Sequence, residues 1–175
     1  MAGKRFGLLA FLAGVAILVA VLKVANWLPT AMQRDVLRRY GSIEDVRSSV
    51  NLGDIYVPSY YPQELGWPPS AIFAQGRPFP ALVMEFVRAG GREAALVVSQ
   101  SASSRPLLDG RIRMDRVQES VRYSLKGRDA VLSVGVSSRG EQVSRIVWTE
   151  GKYRIDLAAK APPVELIKVA ESMLR

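Results

Sequence analysis

The stretch Ile146-Val147-Trp148-Thr149-Glu150-Gly151-Lys152-Tyr153-Arg154-Ile155-Asp156-Leu157 decides the fold of this chain. Apolar and polar residues alternate on both sides of Gly151, which is the period of a β-strand that buries one face. The glycine between the two runs predicts a turn, so the stretch predicts a β-hairpin. The buried face is expected to carry Ile146, Trp148, Tyr153, Ile155 and Leu157. The opposite face is expected to be solvated and to carry Arg145, Thr149, Arg154 and Asp156.

The same period of two extends from this hairpin toward the N-terminus. Strands are predicted over 71–75, 80–88, 94–101, 111–117, 120–126, 129–137, 143–149 and 152–158. Glycine-containing turns separate many of them, and no helical pattern lies between them. The sequence therefore predicts an antiparallel meander.

One helix is predicted before the strands in the chain, and another is predicted after them. Ser42 is suited to cap the first, in which Ile43, Val46 and Val50 share one face. Pro163 is suited to the first turn of the second, which should lie across the sheet. The apolar stripe of that helix is formed by Val164, Leu166, Ile167, Ala170, Met173 and Leu174. The predicted class is α+β, an antiparallel sheet packed by a C-terminal helix.

Residues 6–22 are an uncharged apolar run, and the apolar character resumes after Lys23 as far as Leu28. A helix of that length spans a hydrocarbon core of about 30 Å. The run also resembles a secretory signal, but no clean small-residue cleavage site comes after it. We therefore predict a retained transmembrane anchor over 1–28. Residues 29–41 are predicted to form a juxtamembrane amphipathic helical connector, or else a plain extension of the anchor helix, and 42–175 the folded domain.

The positive charge of the chain is concentrated beside this anchor. The formal net charge is +8, and residues 1–41 carry most of it. Basic residues there would contact anionic lipid headgroups, whereas a nucleic-acid interface would need a basic face on the folded domain. The predicted membrane-interface residues are Lys23, Trp27, Arg34, Arg38 and Arg39. The Lys/Arg count alone favours a cytoplasmic domain, while an N-terminal signal anchor normally exports the domain attached to it.

Composition excludes most catalytic chemistry. The chain has no Cys and no His, so no thiolate nucleophile, Cys/His zinc site, haem histidine or Ser-His-Asp triad can form. Glycine-rich phosphate loops are also missing. Asp109, Asp115 and Glu119 could supply a carboxylate pair, but solvated surface acids are the better interpretation. We predict no enzymatic activity, no catalytic residue, no cofactor and no metal.

The segment from Ile55 to Pro69 combines four prolines with three tyrosines and Trp67. Proline removes the donor that a central strand needs, so this segment is predicted to be extended and rigid. Its rings could pack against the domain's own sheet or bind a partner. Those of Tyr60, Tyr61 and Trp67 that the core does not use are predicted to contact a protein partner.

Three pieces in this order resemble a family of bacterial envelope domains, the DUF4367-type domain. They are Ser42-Ile43-Glu44-Asp45-Val46, Val57-Pro58-Ser59-Tyr60-Tyr61-Pro62, and Ile146 to Tyr153 with a Pro-Val-Glu-Leu-Ile-Lys-Val-Ala helix after it. The style is similar to the sheet-plus-helix domains of anti-sigma regulators and lipoprotein-carrier-like proteins. The resemblance covers about residues 42–174. It implies a domain on the outer side of the cytoplasmic membrane, in the periplasm, behind a single anchor.

Together these features predict a non-catalytic accessory subunit of a larger bacterial membrane complex, for example a respiratory or photosynthetic one. The chain would brace that complex from the extracytoplasmic side, with lipids and other membrane subunits as partners and no nucleic acid. The alternative is a free-standing envelope sensor or ligand-binding domain. A subunit would purify with stoichiometric partners, whereas a sensor would purify alone.

Overall fold

The computed structural model describes Lys23, residues 37–104, residue 107 and residues 111–174. Over these residues the chain forms eight strands and two helices. The strands are β1 (Arg38–Tyr40), β2 (Ala71–Gln75), β3 (Ala81–Val87), β4 (Ala94–Ser101), β5 (Arg116–Leu125), β6 (Arg128–Val136), β7 (Gln142–Glu150) and β8 (Tyr153–Ala159). The helices are α1 (Ile43–Ser49) and α2 (Pro163–Ser172).

All eight strands belong to one sheet, in the order β1-β2-β3-β4-β8-β7-β6-β5. Each neighbouring pair is antiparallel, so the predicted antiparallel sheet with a C-terminal helix is confirmed. The predicted simple meander is wrong, because β4 pairs with β8 instead of β5. Two four-strand meanders are joined at this central pair, and the connection from β4 to β5 runs past three strands.

One strand boundary also differs from the prediction. The sequence predicted separate strands over 111–117 and 120–126, but β5 runs unbroken from Arg116 to Leu125. The pairing with β6 shifts between Val117 and Glu119, which is where the hydrophobic alternation of the sequence is interrupted. A bulge of this kind absorbs one extra residue without ending the strand.

The main core lies on one face of the sheet, the face that carries the large apolar residues of the hairpin around Gly151. Ile146, Trp148, Tyr153, Ile155 and Leu157 are all buried there, as the sequence predicts. Leu82, Met84, Phe86, Leu96 and Val98 extend the same face across β3 and β4. Burial of this much apolar surface is the main source of stability for a domain of this size.

The two helices begin where the sequence predicts. The Ser42 side chain accepts from the Asp45 N–H, and the Asp45 carboxylate accepts from the Ser42 N–H, both at 3.0 Å. This reciprocal capping box fixes the start of α1 and places Ile43 and Val46 in the core. Pro163 lies in the first turn of α2, as predicted. The predicted stripe of α2 is wrong at Val164, which is exposed, and Val169 is buried on that helix instead.

The second face of the sheet is only partly solvated: Thr149 is exposed as predicted, whereas the prediction is wrong at Asp156. Asp156 is almost completely buried there, and its carboxylate accepts from Arg145 Nε at 2.8 Å and Arg145 Nη2 at 2.5 Å. Arg111, which precedes β5, also lies on this face, with its guanidinium carbon 4.2 Å from the centre of the Phe73 ring, and the adjacent Ile112 is buried. A strand-alternation pattern cannot reveal contacts of this kind, because they join residues that are distant in the sequence.

The N-terminal predictions are only partly covered by the described residues. Positions 38–40 form β1, which pairs with β2, so the predicted helical connector is wrong at these positions. Pairing with the exposed edge of β2 supplies the backbone partners there, and the compact unit begins at Arg38. The predicted anchor, apart from Lys23, lies outside the described residues. Within the part of the chain that the structure describes, no helix is long and apolar enough to cross a membrane.

Candidate functional site: an aromatic surface on a rigid segment

Residues 55–69 take an extended path along the core face of the sheet, and hydrogen bonds fix that path at several points. The Gln100 side chain accepts from the Tyr56 N–H at 3.1 Å. Ser172, at the end of α2, accepts at its Oγ from the N–H groups of Ser59 and Tyr60, both at 3.1 Å. Leu65 forms an isolated bridge to Arg88 at the end of β3. The segment is therefore held rigidly by residues distant in the sequence.

The three rings predicted as partner contacts have different environments, and we name them together the aromatic surface (Tyr60, Tyr61 and Trp67). Tyr61 is the ring that the fold uses. It lies 5.4 Å from the Phe86 ring between centroids and donates its hydroxyl hydrogen bond to the Pro58 carbonyl. Burial raises the pKa of Tyr61 to about 12. Tyr61 is therefore a partly buried ring that packs against the core.

Trp67 is the most exposed aromatic ring of the described core-face segment, at 52%. Its ring centroid lies 5.9 Å from that of Tyr61 in a tilted arrangement. The indole therefore contacts a partly buried tyrosine and leaves about half of its surface in solvent. Such a ring can bury much apolar area on docking, with little loss of side-chain freedom.

Tyr60 is also exposed, at 37%, and a hydrogen bond restrains it. Its hydroxyl donates to Glu165 Oε2 at 2.9 Å, while Lys168 donates to Glu165 Oε1 at 2.8 Å. The hydrogen bonds from Lys168 and then Tyr60 lower the pKa of Glu165, and the bond to Glu165 raises the pKa of Tyr60. The pair connects the aromatic surface to the first turn of α2, beside the exposed Val164.

A small apolar slot opens between this segment and α2. Its volume is about 30 Å³, close to that of one water molecule, and Pro62, Leu65, Ala95, Leu166 and Val169 contribute to its lining. The slot is too small for a metabolite. At this size it could accept no more than a methyl group of a docking protein.

Two larger polar clefts also lie on the domain, and Ile55, Tyr56, Val57 and Ser59 of the same segment line part of the second. One, of about 580 Å³, has its carboxylates engaged by cations: Glu93 receives hydrogen bonds from Arg139 at 2.7 Å and from Lys160 at 2.8 Å. These bonds, that of Lys160 first, lower the pKa of Glu93 to about 2. The other cleft, of about 840 Å³, contains the bidentate pair of Arg128 and Glu150. Carboxylates held in this way are poor general acids.

Of the acids considered from the sequence, the structure describes Asp115 and Glu119, and they have different surroundings. Asp115 accepts from the Ser138 N–H at 2.6 Å and lies 3.0 Å from Arg113 Nε. Glu119 is exposed on β5, and Asp109 lies outside the described residues. Among the residues that the structure does describe, no group of three or more acidic side chains could hold a metal ion.

The predicted membrane-interface residues are only partly visible. Lys23 is exposed, and Arg38 and Arg39 are exposed on β1 at one edge of the sheet. Trp27 and Arg34 lie outside the described residues. Contact of this group with lipid headgroups stays a prediction.

The sequence did not identify the residues that support the aromatic surface. Phe86, Glu165 and Ser172 hold Tyr61, Tyr60 and the backbone between them, but each lies in a distant element. The only signal was that a Pro-rich segment without strand partners must find its hydrogen bonds elsewhere.

Comparison with known proteins gives no assignment. No family model, no curated protein and no solved structure matches this chain. The resemblance to the DUF4367-type domain stays a prediction, and the function has to be argued from the site itself.

Proposed function

We propose that this chain is a non-catalytic, membrane-anchored accessory subunit of a larger bacterial membrane complex. Its folded domain would bind a protein partner through the aromatic surface on the extracytoplasmic side. The observation that carries the proposal is the exposure of Trp67 and Tyr60 on a segment whose backbone is fixed by the fold.

Rigidity supports a binding function for this surface. A segment that is already ordered loses little conformational entropy on docking, so more of its contact energy appears as affinity. Tryptophan and tyrosine are the residues most often found at interface hot spots. The small slot between residues 62–65 and α2 adds an apolar recess beside the exposed rings.

The proposal also includes a membrane anchor and a location of the domain on the periplasmic side. The apolar run over 6–28 would hold the chain in the cytoplasmic membrane, and Lys23, Trp27, Arg34, Arg38 and Arg39 would contact headgroups. The resemblance to envelope domains favours a periplasmic location over the cytoplasmic one that the Lys/Arg count suggests. A respiratory or photosynthetic complex is the kind of assembly that such a subunit would brace.

The proposal is tested by purifying the tagged full chain from its native membranes in mild detergent. The wild-type chain should bring down stoichiometric partners, and Trp67→Ala should reduce that recovery at least about tenfold, because hot-spot truncations cost about 2 kcal/mol or more. Val131→Ala is the matched control, since Val131 is an exposed apolar residue on the opposite face of the sheet.

Each variant is also checked for an unchanged melting temperature, so that loss of partner is not loss of fold. Undiminished recovery with Trp67→Ala would show that the aromatic surface is not the interface. A wild-type chain that purifies alone would contradict the subunit proposal itself.

The alternative, a free-standing sensor or ligand-binding domain, is favoured by the polar cleft of about 840 Å³. Arg47, Asp54, Tyr56, Arg128 and Glu150 contribute side chains of both signs to it. This cleft is large enough for a small polar ligand. Solitary purification together with ligand-induced thermal stabilisation would support this second function.

A further inference from the structure

β5 forms one edge of the sheet and is its longest strand. It spans ten residues and pairs with β6 on one side, and no strand of the described chain lies on its other side. The opposite edge, β1, has only three residues. A long free edge presents unpaired N–H and C=O groups, which another strand can satisfy.

The turn after β5 shows which backbone groups are free. Lys126 and Gly127 both have positive φ, 47° and 83°, and Leu125 is paired with Arg128 across them. In a two-residue turn of this kind the closing residues exchange both hydrogen bonds, and hydrogen-bonded pairs then recur at every second residue. Leu125, Tyr123 and Val121 therefore bond to β6. Ser120, Arg122 and Ser124 direct their N–H and C=O groups outward.

Two exposed valines lie among the mostly polar side chains of β5. Val121 is 41% exposed on the core-face side, and Val117 is exposed as well. β5 contains no proline, and the strand between its bulge and its turn is regular. The aromatic surface is not involved, because it contacts β3 at the other side of the sheet.

We propose that β5 is the interface of a symmetric homodimer, in which two copies of this chain pair their edge strands antiparallel. The two-fold axis would be normal to the sheet. Such an axis keeps the core faces of both copies on the same side, so paired residues must have the same side-chain direction. Side chains alternate along the regular part of β5. The condition therefore holds only when the numbers of the two opposite residues are both odd or both even.

Side-chain chemistry selects one of these registers. With Val121 of one copy opposite Val121 of the other, Glu119 faces Tyr123 and Arg122 faces Ser120. Shifting the register in one direction places Arg122 opposite itself, which is unfavourable for like charges. Shifting it in the other direction places Val121 opposite Glu119. The Val121 register alone joins the two exposed valines and opposes no like charges directly.

The contact would be small, so the dimer is expected to be weak. Pairing of about seven residues buries less area than a stable interface requires. Membrane anchoring confines both copies to one surface and raises their effective concentration. A contact of this size suits a reversible association better than a permanent one.

The absence of cysteine from the chain permits a direct test. In the Val121 register, the two Val121 Cα atoms form a non-hydrogen-bonded pair about 4.5 Å apart, within disulfide range. Val121→Cys in the full chain, in mild detergent with a gentle oxidant, should form a disulfide-linked dimer. Glu119→Cys is the matched control on the same strand and the same face. Its two Cα atoms would lie about 14 Å apart, four residues out of register, and should cross-link at least about tenfold more slowly.

Hydrogen exchange supplies an independent measurement on the unmodified chain. The amides of Ser120, Arg122 and Ser124 should become protected as protein concentration rises, and Val121→Lys should abolish that protection. Equal cross-linking of the two cysteine variants, or a dimer in which Val121→Cys does not cross-link, would overturn the proposal. Protection of β5 in a complex that contains only one copy of the chain would overturn it as well, by showing that a strand of another protein occupies the edge. The interface is independent of the aromatic surface, so Trp67→Ala should leave the Val121→Cys cross-link unchanged.

Discussion

Substitution of Trp148 is a direct test of the packing on the core face of the sheet. It lies on β7, opposite Ile155 on one side and Ala130 on the other, with 2% of its surface exposed. Trp148→Ala removes the largest side chain of this face and leaves a cavity between the sheet and its cover. Substitutions of this kind cost about 3–5 kcal/mol. The whole stability of a domain is about 5–15 kcal/mol, so the variant should lose a large share of it.

The expected change in melting temperature is correspondingly large. At roughly 3–5 °C per kcal/mol for a domain of this size, Trp148→Ala should lower the melting temperature by about 10–20 °C. Trp148→Phe should cost less, about 1–2 kcal/mol, because the buried indole Nε1 has no hydrogen-bond partner to lose.

Thermal unfolding measured by near-ultraviolet circular dichroism tests both variants. Trp67→Ala is the matched control, since the same residue type is exposed there and its truncation should cost less than about 1 kcal/mol. Equal shifts for the two alanine variants would refute the assignment of Trp148 to the core. A Trp148→Ala chain that keeps its melting temperature but loses a partner would make Trp148 a contact residue instead.

Two further predictions concern the backbone and the surface charges. Gly135→Ala should destabilise the domain by about 3 kcal/mol or more in denaturant unfolding, because a Cβ there would clash with the Arg116 carbonyl oxygen and would lie 2.8 Å from Met114 Sδ. Gly66→Ala, with no atom within 4 Å of its Cβ, is the control and should be close to neutral. Glu93 has its pKa lowered to about 2, below the ordinary value of about 4.3, so its contribution is present above that ordinary value and is lost as pH falls toward 2. Melting temperatures of wild type and Glu93→Gln should therefore differ at pH 6 and converge near pH 2, and a constant difference would contradict the ion-pair assignment.

The sequence predicted elements whose signals are local. The hairpin around Gly151 was readable because its large apolar residues fall at every second position, and α1 because Ser42 and Asp45 form a cap within four residues. Strand order was not readable, since the pairing of β4 with β8 joins residues that are distant in the chain. β5 was divided in two because both of its faces are largely exposed and the hydrophobic period is lost there.

Contacts between distant elements also limited what the sequence could predict of the candidate site. A rigid Pro-aromatic segment was predictable from composition, but not which of its neighbouring rings would face inward. Successive residues of an extended chain point in opposite directions, so one of Tyr60 and Tyr61 had to be more buried than the other. Tyr61 packs against Phe86, whereas Tyr60 donates a hydrogen bond to Glu165. Both partners lie in elements that the sequence around the two tyrosines does not identify.

The two proposed surfaces have a consequence when they are combined. The aromatic surface contacts β3, which is five strand positions from β5, or about 24 Å at the usual spacing. A two-fold axis normal to the sheet would place both aromatic surfaces on the same side of the dimer, roughly 50 Å apart. The chain enters the folded unit at β1, the edge opposite β5, so the dimer contact leaves that edge free. Two weak contacts to a symmetric or repeated partner would then reinforce one another, because the second binding event is intramolecular. Weak self-association at β5 and a small aromatic contact surface are therefore compatible with firm attachment to a large membrane complex.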